Sequence, residues 1–131
     1  MTYTKSTFEE FIARIPGFDQ LSNEEISKLS SPQILQPLRY RMGQKIVGKE
    51  QLPQKVSILY QGRVRLLGYP ENQSPISLKI LEPGAVIGEI SWLRQIPCET
   101  AIAYEEVICL TWNAADYLQF LSGNLAFAQA R

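Results

Sequence analysis

From Ile34 to Trp112 the chain is broken by glycine or proline about every 8–12 residues, with only short apolar runs between the breaks. Such runs suit strands and are too brief for helices that bury a stripe. This stretch is therefore expected to form a sandwich or barrel of short antiparallel strands. The expected strands are 34–41, 45–47, 55–60, 63–69, 76–82, 85–87, 100–104 and 106–112. In the third, Val56, Ile58 and Tyr60 alternate with Lys55, Ser57 and Gln61, yet Leu59 is apolar too, as in a strand buried on both faces. Gln61 and Gly62 are expected to close a tight hairpin from 55–60 to 63–69, with Gly62 at positive φ. Pro70 to Pro75 is expected to form a polar loop tip.

Helical patterns flank this region. In the lead-in 6–31, Phe8, Phe11, Ile12 and Ile15 recur at three-and-four spacing behind Ser6 or Thr7 as cap, and Pro16 and Gly17 stop the run. Ser22 with Glu25 three residues on spells a capping box for a short second helix, whose apolar side is Ile26 and Leu29. Phe18 and Leu21 between the two are apolar enough to dock on a core. Asn113 as cap, Asp116 in the first turn and a stripe of Tyr117, Leu118, Phe120 and Leu121 predict a helix over 113–121. The tail to 131 is again helix-prone and carries no stop signal, a pattern expected of one domain within a longer protein. The expected architecture is mainly β: a jelly-roll-like antiparallel β-roll of about eight strands over 34–112, with N-terminal helices, a short internal helix and a C-terminal helix. A chain of 131 residues suits a single domain, 1–131.

Composition removes most catalytic chemistry. The chain contains no histidine, which excludes Ser-His-Asp and Cys-His catalysis, imidazole metal sites and a histidine pH switch. Lys plus Arg is 13 and Asp plus Glu is 13, a balance that argues against a chain built to neutralise nucleic-acid phosphates or anionic lipid. The two cysteines, Cys98 and Cys109, are too few for a disulfide framework or a zinc site, which points to a reducing, cytoplasmic setting. Cys109 has the surroundings of a buried small hydrophobe. No apolar run is long enough to insert into a membrane. No acid, base and nucleophile assemble into an active site, so a binding module is expected rather than an enzyme, with no cofactor and no metal.

The segment Leu81 to Leu93 is the most informative. Pro83 and Gly84 turn into a brief apolar strand, and Gly88 and Glu89 then open a short helical pattern in which Ile90 and Leu93 are expected to face inward. Such a junction presents the backbone N–H groups of Ile90 and Ser91 as an anion cradle, and glycine lets a ligand approach the backbone closely. A structural turn explains the same residues. Arg63 and Arg65 at period two suit a solvated strand face, and Trp92, Tyr104 and Trp112 suit packing rather than base stacking.

Three stretches together resemble the cyclic nucleotide-binding domain: Arg41 to Val47, Val56 to Leu67 and Leu81 to Leu93. Their glycine turns at Gly43, Gly62 and Gly84 fall in that family's order and spacing. Ile15 to Ile26 is similar to the family's helical lead-in, and Asn113 to Leu121 to the helix after its β-roll. The resemblance implies that the segment from Gly88 is a phosphate-binding cassette, with Glu89 on the ribose 2′-hydroxyl and backbone amides plus one arginine on the cyclic phosphate. The candidate ligand residues are Gly88, Glu89, Ile90, Ser91, Arg94, Cys98, Glu99 and Thr100. The arginine slot, however, falls on Pro97 or Cys98, and Glu99 adds a negative charge beside it. Losing one partner of a buried charge-assisted contact costs roughly 2–5 kcal/mol. A carboxylate about 4–5 Å from a phosphate repels it by up to ~4 kcal/mol at an effective dielectric near 20. Even ~4 kcal/mol in total turns a micromolar site into a millimolar one, so cAMP or cGMP is the ligand class implied and a degenerate cassette is expected. Arg94 is the one nearby substitute for the missing charge.

The resemblance further implies a non-catalytic sensor that signals through its terminal helix to an effector domain in the same parent chain. Homodimers through terminal helices are expected to use Phe120, Leu125 and Phe127, and this domain alone is expected to bind no nucleic acid. The other reading is a protein-docking domain that binds no nucleotide. Cys98 to Ala103 and the ending Phe127 to Arg131 are similar to N-terminal domains of cyanobacterial peptidase-containing ABC exporters. That likeness implies tethering to the inner membrane through a parent transporter.

Overall fold

The computed structural model describes residues 5–48, 50, 52–68, 76–97 and 99–124. In chain order these form α1 (Lys5–Ala13), a 3-10 turn (Phe18–Gln20), α2 (Asn23–Leu29), β1 (Leu35–Tyr40), β2 (Lys45–Val47), β3 (Lys55–Gln61), β4 (Val64–Gly68), β5 (Ile76–Leu81), β6 (Val86–Ile87), α3 (Glu89–Arg94), β7 (Thr100–Ala103), β8 (Val107–Asn113) and α4 (Ala114–Ser122). The architecture is mainly β, and the eight strands expected from the punctuation are all present. They divide into two four-stranded sheets, β1-β8-β3-β6 and β2-β7-β4-β5. Two compact units result: one takes the chain up to Gln36 and from Trp112 onward, the other runs Pro37–Thr111.

In the β unit, β3 and β8 occupy the middle of their sheet, and this sets their composition. Val56 to Leu59 on β3 are all buried, as are Val107 to Trp112 on β8, so both strands are apolar on both faces. The polar exceptions satisfy each other: the hydroxyls of Ser57 and Thr111 hydrogen-bond at 2.9 Å across the two strands. Pro37 lies in β1, an edge strand, the position in a sheet where proline is tolerated. A core of Leu59, Val64, Leu66, Ile87, Val107 and Cys109 draws on both sheets.

The hairpin expected between β3 and β4 is not formed. Gly62 does take positive φ, at 91°, but β3 pairs with β6 and β8 whereas β4 pairs with β5 and β7. The turn carries the chain from one sheet to the other. Burial decides this, since β3 is apolar on both faces and sits between two partners in its own sheet.

In the helical unit, Phe8, Ile12 and Ile15 are buried as their spacing predicts, Phe11 is half-buried, and Phe18 of the linker is buried as well. The lead-in helix has already begun at Lys5, so Ser6 and Thr7 lie within its first turn rather than capping it; the apolar period sets a helix's face more firmly than its start. α2 opens with the full capping box: the Ser22 hydroxyl accepts from the Glu25 N–H at 3.1 Å and the Glu25 carboxylate from the Ser22 N–H at 2.9 Å. Trp112 organises the unit. Its indole donates to the Leu29 carbonyl at 2.9 Å, its ring stacks on Phe18 at 6.0 Å, and Tyr117 of α4 lies 5.4 Å away. Asn113 caps α4, its side chain accepting from the Ala115 N–H, with Asp116 in the first turn. Phe120 is half-buried on α4, while Leu125 and Phe127 lie outside the described residues. Among the described residues no helix is long and apolar enough to cross a membrane.

Candidate functional site

The site begins where β6 gives way to α3. Gly88 caps α3 in the left-handed region with φ 95°, and a β-carbon there would lie 2.8 Å from the Lys55 carbonyl oxygen. The Trp92 indole donates to the Pro53 carbonyl. These two contacts hold α3 against the segment leading into β3 and fix its rotation. At 100° per residue, Ser91, Trp92 and Glu89 then share the inner arc, while Ile90, Leu93 and Arg94 share the outer one. Glu89 and Ser91 are buried accordingly, whereas Ile90 is 45% and Leu93 53% exposed. The expectation that Ile90 and Leu93 face inward is thus reversed, because the helix is only six residues long and its anchors are Gly88 and Trp92 rather than its apolar side chains.

Beside α3 lies a cavity of about 190 Å³ walled by Leu66, Leu81, Ile87 and Ile90, with Lys79 and Glu99 as its charged residues. Strand register assembles it. Leu66 of β4 pairs with Lys79 of β5 on one side and Ala101 of β7 on the other, so their side chains share a face. Glu99 stands two residues before Ala101 and continues that face into the cavity. Its residue is only 9% exposed. Burial lifts its carboxyl above the ordinary carboxylate value, with the charges of Arg94 and Lys79 pulling the other way. Among the described residues no hydrogen bond or ion pair engages the Glu99 carboxylate. A nearly buried acceptor therefore lines a small, mostly apolar recess.

The candidate residues divide as follows. Gly88, Glu89, Ile90 and Ser91 form the turn and first turn of α3, with Ile90 alone among them lining the cavity. Arg94 ends α3, exposed, and reaches Glu99 only through its charge. Thr100 is buried at the start of β7 opposite Leu67. Cys98 lies outside the described residues. Lys79 and Leu66 went unnoticed in the sequence because they belong to strands outside the cassette; register brings them to it. Cys109 is buried in the core, where burial pushes its thiol up to about 12, so it stays protonated and unreactive. Trp112 packs as expected, whereas Tyr104 is exposed with the Arg63 guanidinium 5.0 Å above its ring. Arg63 also donates to the Glu105 carboxylate, at 3.1 Å from its Nε.

The fold is similar to several solved structures. The regulatory subunit of a cAMP-independent protein kinase A from Trypanosoma cruzi, bound to guanosine, matches with a TM-score of 0.82 at 21% identity over 90% of this chain and 41% of its own. The regulatory domain of Toxoplasma gondii protein kinase A with cAMP matches with a TM-score of 0.81 at 18% identity over 89% of this chain and 45% of its own. The catabolite activator protein of Thermus thermophilus matches with a TM-score of 0.72 at 27% identity over 88% of this chain and 54% of its own. The chain thus spans about half the length of these proteins or less. No curated protein matches the chain. The sequence profile of the cyclic nucleotide-binding domain matches residues 37–124, well over half of the chain. With its two sheets, its glycine-capped helix after β6 and that match in register, the chain belongs to the cyclic nucleotide-binding domain family.

Proposed function

We propose that residues 1–131 act as one non-catalytic regulatory module whose cassette no longer serves a cyclic phosphate, and that it works on an effector domain in the same parent chain. The observation that carries this reading is Glu99, nearly buried in the cavity beside α3 where a phosphate site needs positive charge. The donor set does not fit the group: among the described residues Lys79 is the one cation that lines the cavity, and Glu99 offsets it. Bringing a phosphate to such a carboxylate costs up to ~4 kcal/mol at an effective dielectric near 20. The relatives bearing cAMP or guanosine support the choice of fold, and the chemistry of this cavity separates the two kinds of guest.

The test is thermal stabilisation by cAMP and cGMP at about 1 mM, for the wild type and for Cys98→Arg combined with Glu99→Ala. The wild type should shift little, and the double variant should gain ~2 kcal/mol or more if the charge alone is at fault. Stabilisation of the wild type by micromolar cAMP would overturn the reading.

A second reading has its own observation. Ile90, Leu93 and Ile96 are exposed together along α3 and its C-terminal end, an apolar surface suited to a protein partner. The module is then a docking domain, of the kind at the N-terminus of a peptide-exporting ABC transporter. This reading has no nucleotide bound, and Leu93→Asp should abolish binding to the rest of the parent chain while leaving the far-ultraviolet circular dichroism of the module unchanged.

A further inference from the structure

The cavity under α3 combines features that a cyclic phosphate does not complement. Its walls, Leu66, Leu81, Ile87 and Ile90, are apolar, and its two charged groups, Lys79 and Glu99, are opposite in sign. The site is therefore close to neutral, and a guest of either charge meets its own sign. An anion is opposed by Glu99, which is nearly buried and so weakly screened, and a cation is opposed by Lys79. The guest that suits all three elements carries no net charge. It needs a flat apolar face for the walls, hydroxyl donors for a carboxylate with no hydrogen-bond partner among the described residues, and an acceptor for the lysine ammonium. Sugars lack the flat face, and a nucleoside joins such a face to hydroxyl donors.

We infer that the Glu99 cavity binds an uncharged nucleoside, a ribose hydroxyl donating to the Glu99 carboxylate and a base carbonyl or ring nitrogen accepting from Lys79. A recess of about 190 Å³ is smaller than those that enclose whole ligands, so one ring enters while Ile90, exposed at the rim, gives the other an apolar seat. Glu99 is then the element that selects against phosphate. This rests on the regulatory-module reading and adds the ligand class to it.

Calorimetric titration of the whole chain with guanosine, adenosine, 3′,5′-cyclic GMP and 3′,5′-cyclic AMP tests the inference without any variant. At least one nucleoside should bind, and its cyclic phosphate should bind at least ~30-fold more weakly, the effect of one carboxylate on an incoming anion. Glu99→Gln keeps an acceptor and removes the charge, so it should narrow that ratio about tenfold or more. Should neither nucleoside bind at millimolar concentration, and the cyclic nucleotides likewise fail, the inference is overturned while the regulatory reading stands. A cyclic nucleotide that outbinds its nucleoside overturns both. A ratio unchanged in Glu99→Gln, with the variant folded by circular dichroism, removes Glu99 as the selecting group and overturns the inference alone.

Discussion

At Gly62 the backbone passes between sheets with φ 91°, and a β-carbon there would sit 2.6 Å from both the Glu106 carbonyl oxygen and a methyl of Val107. One of these neighbours is backbone and cannot swing aside. Gly62→Ala thus meets two penalties, a left-handed conformation that costs ~1–3 kcal/mol on its own and an overlap with the start of β8. Urea denaturation should show the variant destabilised by more than ~2 kcal/mol with an unchanged m-value. A loss below ~0.5 kcal/mol would mean that the crossing relaxes into another turn. The same residue shows how a local sign can be right and its meaning wrong. Glycine at positive φ is legible from the sequence, but whether the turn pairs two strands or parts them depends on partners far along the chain.

Elements that carry their own chemistry were legible in the same way. Ser22 and Glu25 specify the start of α2, and Asn113 specifies the start of α4, because each cap is made by residues within three positions of it. The face of α3 was not legible. Ile90 and Leu93 have the spacing of an inward stripe, but the helix is oriented by Gly88 against Lys55 and by Trp92 against Pro53, contacts some 33 to 39 positions away. Glu99 was legible as a misplaced charge; its placement opposite Lys79 needed the register of β4, β5 and β7. Between β3 and β8 the buried hydroxyls of Ser57 and Thr111 form a pair that gives a clean test at this scale. Thr111→Val leaves the Ser57 hydroxyl without its partner and should cost ~1–3 kcal/mol, as should Ser57→Ala for Thr111. The double variant should cost less than the sum of the two, a coupling of ~0.5 kcal/mol or more in a double-mutant cycle. Strict additivity would show that the bond contributes nothing.

For the whole molecule, Glu99 ties stability to pH. Burial lifts its carboxyl above the ordinary value of 4.5, against the pull of Arg94 and Lys79. Between its unfolded and folded values the folded chain holds more protons at this group, so the contribution to stability falls as pH rises through that interval. Ionised Glu99 weighs against folding at neutral pH, and acidification toward 4.5 relieves it. Glu99→Gln should accordingly be more stable than the wild type near pH 7, with an advantage that shrinks as pH falls toward 4.5. Thermal melts of the two proteins across that range measure it, and an advantage that grows on acidification would contradict the assignment.

β1 and β8 are neighbours in one sheet, and they are also the strands by which the chain enters and leaves the β unit. Entrance and exit are thus adjacent, on strands that run in opposite directions. A pull that separates Leu35 from Asn113 loads their ladder at one end, so its hydrogen bonds yield in succession rather than together. Mechanically this is a zipper and not a clamp. A module built this way gives little resistance when tension comes through its own two connections.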